Sequence, residues 1–137
     1  ILPNMDGIRE TIVQGLKNAG LEPGDVDFVS AHATATKMGD VAESMAIGNV
    51  YGKGPLVTGL KSYMGHTMGS CGVIETIIAL YMMEKGFIAP TLNLENIDER
   101  CAMIRHVQEL RETPVNIASI QNFAFGGVNT SLFLRKV

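Results

Sequence analysis

The segment VDFVSAHATATKMGDVAESMAIGNVY, residues 26–51, decides the fold. It opens with an apolar run that is typical of a strand and that ends at His32. A loop of small and hydroxyl residues follows, and the pattern then predicts a helix from Asp40 to Tyr51. The next piece, Leu56 to Thr58, is strongly β-forming, so the order strand, helix, strand indicates a parallel pair with a helical crossover.

The rest of the chain extends this alternation. The other expected elements are a helix from Asp6 to about Ala19, a helix from Met68 or Ser70 to Lys85, a short strand at 103–107, and final strands at 115–120 and 131–135. Helices alternate with strands until two adjacent strands close the chain. The sequence therefore predicts one α/β domain over residues 1–137, with a mixed, mostly parallel sheet covered by helices and antiparallel final strands.

The composition excludes several classes of function. The 137 residues carry a net charge of -3 and no basic stripe, so neither nucleic acid nor a membrane surface is an expected partner. The longest apolar run, 73–83, contains Glu75 and is too short to cross a bilayer. Cys71 and Cys101 form neither a disulfide framework nor a zinc-type cluster, and two lone thiols favour a reducing, cytoplasmic location.

The first candidate site is His32-Ala33-Thr34-Ala35-Thr36, at the carboxyl end of a predicted strand. In open α/β sheets ligands bind at that edge, where a histidine can act as an acid, a base or a neutral donor. The pattern alone is equally compatible with a surface-loop histidine followed by two threonine helix caps.

The second candidate is the glycine-rich segment Lys61–Gly72, which also leads from a strand into a helix. The positive end of the helix dipole disfavours imidazolium at His66, which leaves a neutral ring that can donate from Nε2. A packing turn with an incidental histidine is the alternative. Cys71 is expected past the first helical turn in an apolar setting, so we expect no activating base for it or for Cys101.

Within the following helix, Glu75 is surrounded by apolar residues on most of the circumference. A helix that is apolar nearly all round is expected to be buried, and a buried carboxylate needs a partner. We therefore expect a polar network that joins Glu75 to the region of His66. The alternative is that Glu75 is exposed on the one face of the helix that meets solvent.

The third candidate is Asn122-Phe123-Ala124-Phe125-Gly126-Gly127-Val128-Asn129, between the two final strands. A tight glycine turn here can present backbone N–H groups and place a phenylalanine at the mouth of a pocket. A bulged hairpin with both phenylalanines in the core is the alternative.

In this order, the three motifs resemble the C-terminal part of the β-ketoacyl-[acyl carrier protein] synthases, most of all the elongating type II class. His32–Thr36 is similar to the family's HGTxT motif, Lys61–His66 to its Lys-to-Gly-His motif, and Phe123–Asn129 to its FGFGGTN motif. The intervening stretches 39–43 and 90–95 match in kind and spacing. The resemblance implies a thiolase-like C-terminal half, incomplete relative to a two-half enzyme whose nucleophilic cysteine belongs to the first half.

The implied reaction is a decarboxylative Claisen condensation of an acyl thioester with malonyl-carrier protein, in fatty acid or polyketide elongation. The matching residues are His32, His66, Lys61 and Phe125 for catalysis, Thr34, Thr36 and Phe123 for substrate binding, and Glu43, Glu75 and Asn129 in support. The resemblance implies two neutral histidines that stabilise the enolate oxygen, an ion pair between Lys61 and Glu43, and an oxyanion-hole N–H at Phe125.

The resemblance also implies no metal and no separate cofactor, because the substrate is carried on the phosphopantetheine of acyl carrier protein. The expected partners are that carrier, the missing N-terminal half and, at full length, a second copy in a homodimer. Ala33, Ala124 and Val128 depart from the family pattern, which bears on substrate range. Three alternatives stay open: a non-catalytic chain-length factor, a ketosynthase domain cut from a modular polyketide synthase, and an α/β binding module.

Overall fold

The computed structural model describes residues 4–137, and its elements alternate as the sequence predicts. The helices are α1 (Met5–Ala19), α2 (Gly39–Tyr51), α3 (Lys61–Met64) and α4 (Cys71–Lys85). The strands are β1 (Phe28–Ser30), β2 (Leu56–Thr58), β3 (Phe87–Ile88), β4 (Arg105–His106), β5 (Arg111–Glu112), β6 (Ile117–Phe123) and β7 (Asn129–Arg135). The short helix α3 and the strands β3 and β5 are additions that the sequence pattern did not predict.

Helix α1 forms because its apolar residues recur on one face and both of its ends are capped. Ile8, Ile12 and Leu16 are buried on that face. The N-cap is Asn4, whose side chain accepts from two backbone N–H groups of the first turn. Asp6, where the sequence pattern begins the helix, lies inside it as its acidic first-turn residue. Gly20 ends the helix in the left-handed conformation, with φ at 64°.

The main sheet has the strand order β4-β2-β1-β6-β7. Strands β4, β2, β1 and β6 are parallel, and β7 runs antiparallel to β6. This confirms the predicted mixed, mostly parallel sheet with an antiparallel final pair. A separate antiparallel pair, β3 with β5, lies between α4 and β6, where the sequence predicts only one short strand.

Helices cover both faces of the sheet, so β1 is buried along its whole length and β2 and β6 are mostly buried, whereas the edge strand β4 is not. Phe28 of β1 packs into the core cluster that contains α4, and its neighbour Val29 packs into the cluster that contains α1 and α2. This division follows from the alternation of side chains along a strand. The parallel register places Ser30 beside both Thr58 and Ile120. The loops that follow β1 and β2 therefore meet the last residues of β6 at one edge of the sheet.

Helix α4 departs from the expectation that it is buried all round. One stripe of it is exposed in this chain: Val73 at 64%, Ile77 at 61%, Leu80 at 50% and Tyr81 at 55% of full exposure. The opposite face, with Glu75, Ala79 and Met82, is fully buried. None of the helices within residues 4–137 is both long and apolar enough to cross a membrane.

Candidate active site

Two histidines meet at the carboxyl edge of the sheet, although 34 positions separate them in the sequence. The ring centroids of His32 and His66 are 5.3 Å apart and the ring planes are nearly perpendicular, at 89°. The ring of Phe123 also packs against His32, with ring centroids 5.9 Å apart and ring planes at 71°. The two histidines that the resemblance implies for one enolate oxygen therefore lie side by side.

The loop that carries His32 is held by Glu43 of α2. One carboxylate oxygen of Glu43 accepts from the backbone N–H of His32 at 2.7 Å, and the other accepts from Ala33 at 2.8 Å. The loop needs such restraint, because Ala33 and Ala35 have φ values of 37° and 59°, a region that costs non-glycine residues free energy. Burial raises the pKa of Glu43 to about 7, against the opposing effect of the two backbone donors.

The expected ion pair between Lys61 and Glu43 is wrong. The Lys61 Nζ lies 2.5 Å from Oε1 of Glu75, and both side chains are buried, at 3% and 0% exposure. The physical reason is that the amides of the His32 loop already occupy both oxygens of Glu43. Glu75 projects from the buried face of α4 towards the start of α3, where Lys61 has no closer acceptor among the described contacts.

Glu75 connects this ion pair to His32 through Asn122. The side-chain amide of Asn122 donates to Oε2 of Glu75 at 3.0 Å, and its oxygen lies 3.3 Å from Nδ1 of His32. The buried Glu75 and its polar network are therefore confirmed, but the bonds lead to His32 and not to His66. Asn122 links Glu75 to His32 through its side-chain amide, and it is not among the site residues expected from the sequence.

The network fixes the protonation of His32. Because Glu75 pairs with Lys61 as an acceptor, Asn122 must turn its NH₂ to Glu75 and its oxygen to the histidine. Nδ1 of His32 therefore carries the proton, and Nε2 is left as an acceptor. Burial first, and then the charge of Lys61, lower the pKa of His32 to about 4, so the ring is neutral at pH 7.

His66 has the opposite arrangement. The backbone N–H of Met68 donates to Nδ1 of His66 at 3.1 Å, so Nδ1 is unprotonated and Nε2 carries the proton. A backbone N–H is always a donor, which makes this assignment unambiguous. The expectation of a neutral His66 that donates from Nε2 agrees with this geometry, whereas His32 cannot donate from Nε2 in its neutral form.

The surroundings of Cys71 differ from those expected. Cys71 is the first residue of α4 and not a residue beyond its first turn, and its Sγ lies 3.0 Å from Nδ1 of His66. A histidine nitrogen therefore lies next to this thiol, a contact that the expectation of no activating base did not include. Cys71 is 1% exposed and Cys101 is 7% exposed.

The remaining predicted site residues lie around this pair. The hydroxyls of Thr34 and Thr36 are 3.4 Å apart in the His32 loop, on its accessible side. Asn129 opens β7 directly opposite Phe123. Phe125 begins a tight turn that Gly126 and Gly127 complete with φ values of 84° and 81°, and the orientation of the Phe125 side chain lies outside the described structure.

Comparison with known proteins defines the class to which this fold and site belong. The family described as "Beta-ketoacyl synthase, C-terminal domain" matches residues 1–95. The 3-oxoacyl-[acyl-carrier-protein] synthase 1 of Escherichia coli strain K12 is 40% identical over 113 residues, which cover 82% of this chain and 28% of that protein. This chain therefore belongs to the β-ketoacyl synthase family, and it spans about a third of the length of its relatives.

Solved structures agree with this assignment. The crystal structure of a β-ketoacyl synthase from Burkholderia phymatum STM815 superposes with a TM-score of 0.96 at 39% identity, over 99% of this chain and 34% of that one. A type II polyketide ketosynthase solved in complex with its acyl carrier protein superposes with a TM-score of 0.91 at 28% identity, over 98% of this chain and 34% of that one. The resemblance and the fold stated from the sequence are thus confirmed.

Asn122, Met68 and Cys71 are the contacts of the two histidines that sequence reasoning missed. A signal existed for Asn122, because it lies on a strand that ends at the histidine edge and is one of two amides in its motif. No sequence signal indicates the contact of Met68 with His66, because the donor is a backbone N–H. Met68 also has a left-handed φ of 55°, which its residue type does not predict.

Proposed function

We propose that this chain is the C-terminal part of a 3-oxoacyl-[acyl carrier protein] synthase. The complete protein condenses an acyl thioester with malonyl-carrier protein in chain elongation. The acyl group is held as a thioester on a cysteine of the preceding half, the malonyl group loses CO₂, and the resulting enolate carbon attacks the acyl carbonyl. The C–S bond to the cysteine breaks and releases the cysteine thiolate, and the new 3-oxoacyl product stays bound to the carrier as a thioester.

The observation that carries this proposal is the pair of adjacent, neutral histidine rings with opposite protonation at Nε2. An enolate oxygen needs a donor that strengthens as negative charge develops, and the Nε2–H of His66 supplies one. His32 is neutral at pH 7 because its pKa is about 4. With Nε2 unprotonated, His32 accepts a hydrogen bond or a proton from a group bound beside His66.

The other site residues take supporting roles. His32 is oriented at its Nδ1 side by the chain of Asn122, Glu75 and Lys61. Glu43 holds the loop that carries His32. Thr34 and Thr36 meet the pantetheine arm of the substrate, and the backbone N–H of Phe125 contributes to the hole for the thioester oxygen. The phosphopantetheine arrives with the acyl carrier protein, so the enzyme needs no metal and no cofactor of its own.

Acyl carrier protein and the preceding half of the same enzyme are the proposed partners. A similar ketosynthase has been solved with its carrier. The exposed stripe of α4, formed by Val73, Ile77, Leu80 and Tyr81, is a contiguous apolar face of the kind that proteins cover. We assign this stripe to the preceding half and propose a homodimer for the complete protein, located in the cytoplasm.

The experiment is the release of CO₂ from malonyl-carrier protein, measured for this chain and for the longer protein that contains it. We expect turnover from the longer protein alone, because both thiols of this chain are buried. A longer protein that releases no CO₂ but stabilises an active partner would identify a chain-length factor. Saturable binding of a pantetheine thioester without turnover in any combination would identify a binding module.

Turnover by the 137-residue chain that disappears in Cys71→Ser would contradict this proposal. It would make Cys71 the nucleophile, with His66 as its base. Cys101→Ser is the matched control, since Cys101 is also a buried thiol but bonds to neither site histidine among the described contacts.

A further inference from the structure

The thiol of Cys71 occupies a position that the proposed reaction does not use. Its Sγ lies 3.0 Å from Nδ1 of His66 and 3.3 Å from the hydroxyl oxygen of Thr67. The thiol is 1% exposed, so neither substrate nor solvent reaches it in this structure. A group so placed can act on the site only through His66.

The directions of these hydrogen bonds follow from the fixed donor beside them. The N–H of Met68 points at Nδ1 of His66, so Nδ1 must be an acceptor. The only proton available between Nδ1 and Sγ is therefore the thiol's own, so Cys71 donates S–H to the lone pair of Nδ1, which it shares with the N–H of Met68. The sulfur in turn accepts from the hydroxyl of Thr67.

The same N–H argues against a thiolate–imidazolium pair. If the thiol proton moved to Nδ1, the backbone N–H of Met68 would face another N–H and would lose its acceptor. A backbone donor that faces another donor loses a hydrogen bond and is unfavourable. The arrangement therefore keeps the thiol protonated, and it leaves the Cys71 sulfur a poor nucleophile.

We infer that Cys71 is a positioning residue that holds His66 in the Nε2–H form. Thr67, Cys71 and His66 make a chain of donors, hydroxyl to sulfur, thiol to Nδ1, and Nε2–H into the site. Hydrogen bonds in such chains polarise one another in the same direction, so the two upstream donors strengthen the fixation of the ring. Only the consequence for catalysis rests on the proposed function, since the hydrogen bonds of His66 can be observed without turnover.

The test uses the chain labelled with ¹⁵N-histidine and two-bond ¹H–¹⁵N correlation spectra, which distinguish protonated from unprotonated ring nitrogens. We expect Nδ1 of His66 to be unprotonated in the unaltered chain. In Cys71→Ala the ratio of the Nδ1–H to the Nε2–H form rises about two- to threefold, the low end of the effect of one hydrogen bond, because a thiol is a weak donor. The averaged Nε2 resonance of His66 therefore moves downfield, towards the position of an unprotonated ring nitrogen. Cys71→Ser, which keeps a donor, restores most of the original spectrum.

Two further variants make the result specific. Thr67→Val removes the upstream donor and should shift Nε2 of His66 in the same direction by a smaller amount. Cys101→Ala removes the other buried thiol and should leave the His66 signals unchanged. If Cys71→Ala does not fold, as judged by amide dispersion, Cys71→Ser and Thr67→Val carry the test.

Three results would overturn the inference: a protonated Nδ1 in the unaltered chain, no shift at His66 in Cys71→Ala, or no rescue by serine relative to alanine. Failure of the proposed function is distinguishable from each of these. A longer protein without CO₂ release would leave the spectra as described, because the spectra report the ring and not the reaction.

Discussion

His32 and His66 lie side by side, but their loops restrain them in different ways. The His32 loop is fastened from distant elements: Glu43 of α2 holds its backbone, and Asn122 of β6 binds its ring. The ring of His66 is fastened locally, within five residues, by Met68 and Cys71. The result is two neutral rings with opposite protonation, an acceptor at Nε2 of His32 and a donor at Nε2 of His66.

The comparison teaches that the residue type alone does not define a histidine's role. The polar group that meets Nδ1 decides what Nε2 can do, because a neutral imidazole has one donor and one acceptor. At His32 that group is a side-chain oxygen, and at His66 it is a backbone N–H. Each of the following predictions disturbs one of the two loops and leaves the other as a reference.

The largest expected effect comes from breaking the buried ion pair behind His32. Lys61→Met leaves Glu75 buried without a countercharge, and removal of one partner of such a pair costs about 3–5 kcal/mol. We expect that loss in the free energy of unfolding, measured by urea denaturation. The charge of Lys61 contributes to the low pKa of His32, so the variant also raises that pKa.

The control is Lys85→Met, which breaks the exposed pair with Glu84, whose partners are 51% and 70% exposed. Exposed pairs contribute little, so this variant should leave the free energy of unfolding nearly unchanged. If Lys61→Met does not fold, the double variant with Glu75→Gln removes both charges and should recover part of the stability. Equal losses from Lys61→Met and Lys85→Met would mean that the buried pair does not support the His32 region.

The second prediction tests the two protonation states through activity. In the longer protein, His32→Ala and His66→Ala should each lower CO₂ release from malonyl-carrier protein by about 10²-fold, the usual scale for loss of a preorganised donor or its partner. Glutamine places an amide N–H near the position of Nε2, and asparagine places one near Nδ1. At position 66, glutamine should therefore retain more activity than asparagine.

At position 32 the order should reverse in stability, because asparagine keeps the contact with Asn122 and glutamine does not. Unfolding free energies of His32→Asn and His32→Gln provide that measurement. A more stable His32→Gln than His32→Asn would mean that the contact with Asn122 does not hold the ring of His32.

The contrast between the loops also explains what could be predicted from the sequence. The convergence of His32 and His66 was predictable because both follow parallel strands, whose carboxyl ends share one edge of the sheet. The burial of Glu75 was predictable from the apolar residues around it. These inferences need only periodicity and the direction of strands.

The partners of the charged groups were not predictable, because several donors compete for each carboxylate and the tertiary structure decides which of them lie within hydrogen-bond distance. Glu43 was assigned to Lys61 from helix position, yet the backbone amides at 32 and 33 fill its oxygens. The exposure of the α4 stripe was missed for another reason. An apolar helix signals burial in the complete fold, and this chain spans about a third of its relatives.

The third prediction uses pH, because the groups that fasten and form the His32 site titrate with opposite effects. The pKa of His32 is lowered from 6.5 to about 4, so its contribution to the free energy of unfolding is fully present above pH 6.5 and is lost as the pH falls through 4. The pKa of Glu43 is raised from 4.5 to about 7, so its contribution to the free energy of unfolding is fully present below pH 4.5 and is lost as the pH rises through 7. Between about pH 4.5 and 6.5 the two effects oppose each other.

Single variants should separate these slopes. In Glu43→Gln the His32 dependence remains, so the free energy of unfolding falls as the pH is lowered from 6.5 to 4. In His32→Asn the Glu43 dependence remains, so it rises as the pH is lowered from 7 to 4.5. Each slope is at most about 1.4 kcal/mol per pH unit, and smaller for His32, which water partly screens. Identical pH profiles for the two variants, from urea unfolding at each pH, would refute the assignment.

The smallest expected effects concern backbone strain, which both loops contain. Ala35 in the His32 loop and Met68 in the His66 loop have φ values of 59° and 55°, where a Cβ is unfavourable. Glycine removes about 1–2 kcal/mol of that strain but adds flexibility to the unfolded chain worth about 0.4–1 kcal/mol. Ala35→Gly and Met68→Gly should therefore each raise the free energy of unfolding by roughly 0.5–1 kcal/mol, measured by urea denaturation.

Met68→Gly is also the finest test of how His66 is held. Met68 is 73% exposed, so the substitution removes almost no packing, and it keeps the backbone N–H that meets Nδ1. The His66 ring signals should therefore stay in the Nε2–H form while the protein becomes slightly more stable. Gly24→Ala, at a turn with open space and no left-handed φ, is the control and should not destabilise. A protonated Nδ1 in Met68→Gly would mean that the methionine side chain, and not its amide, orients the ring.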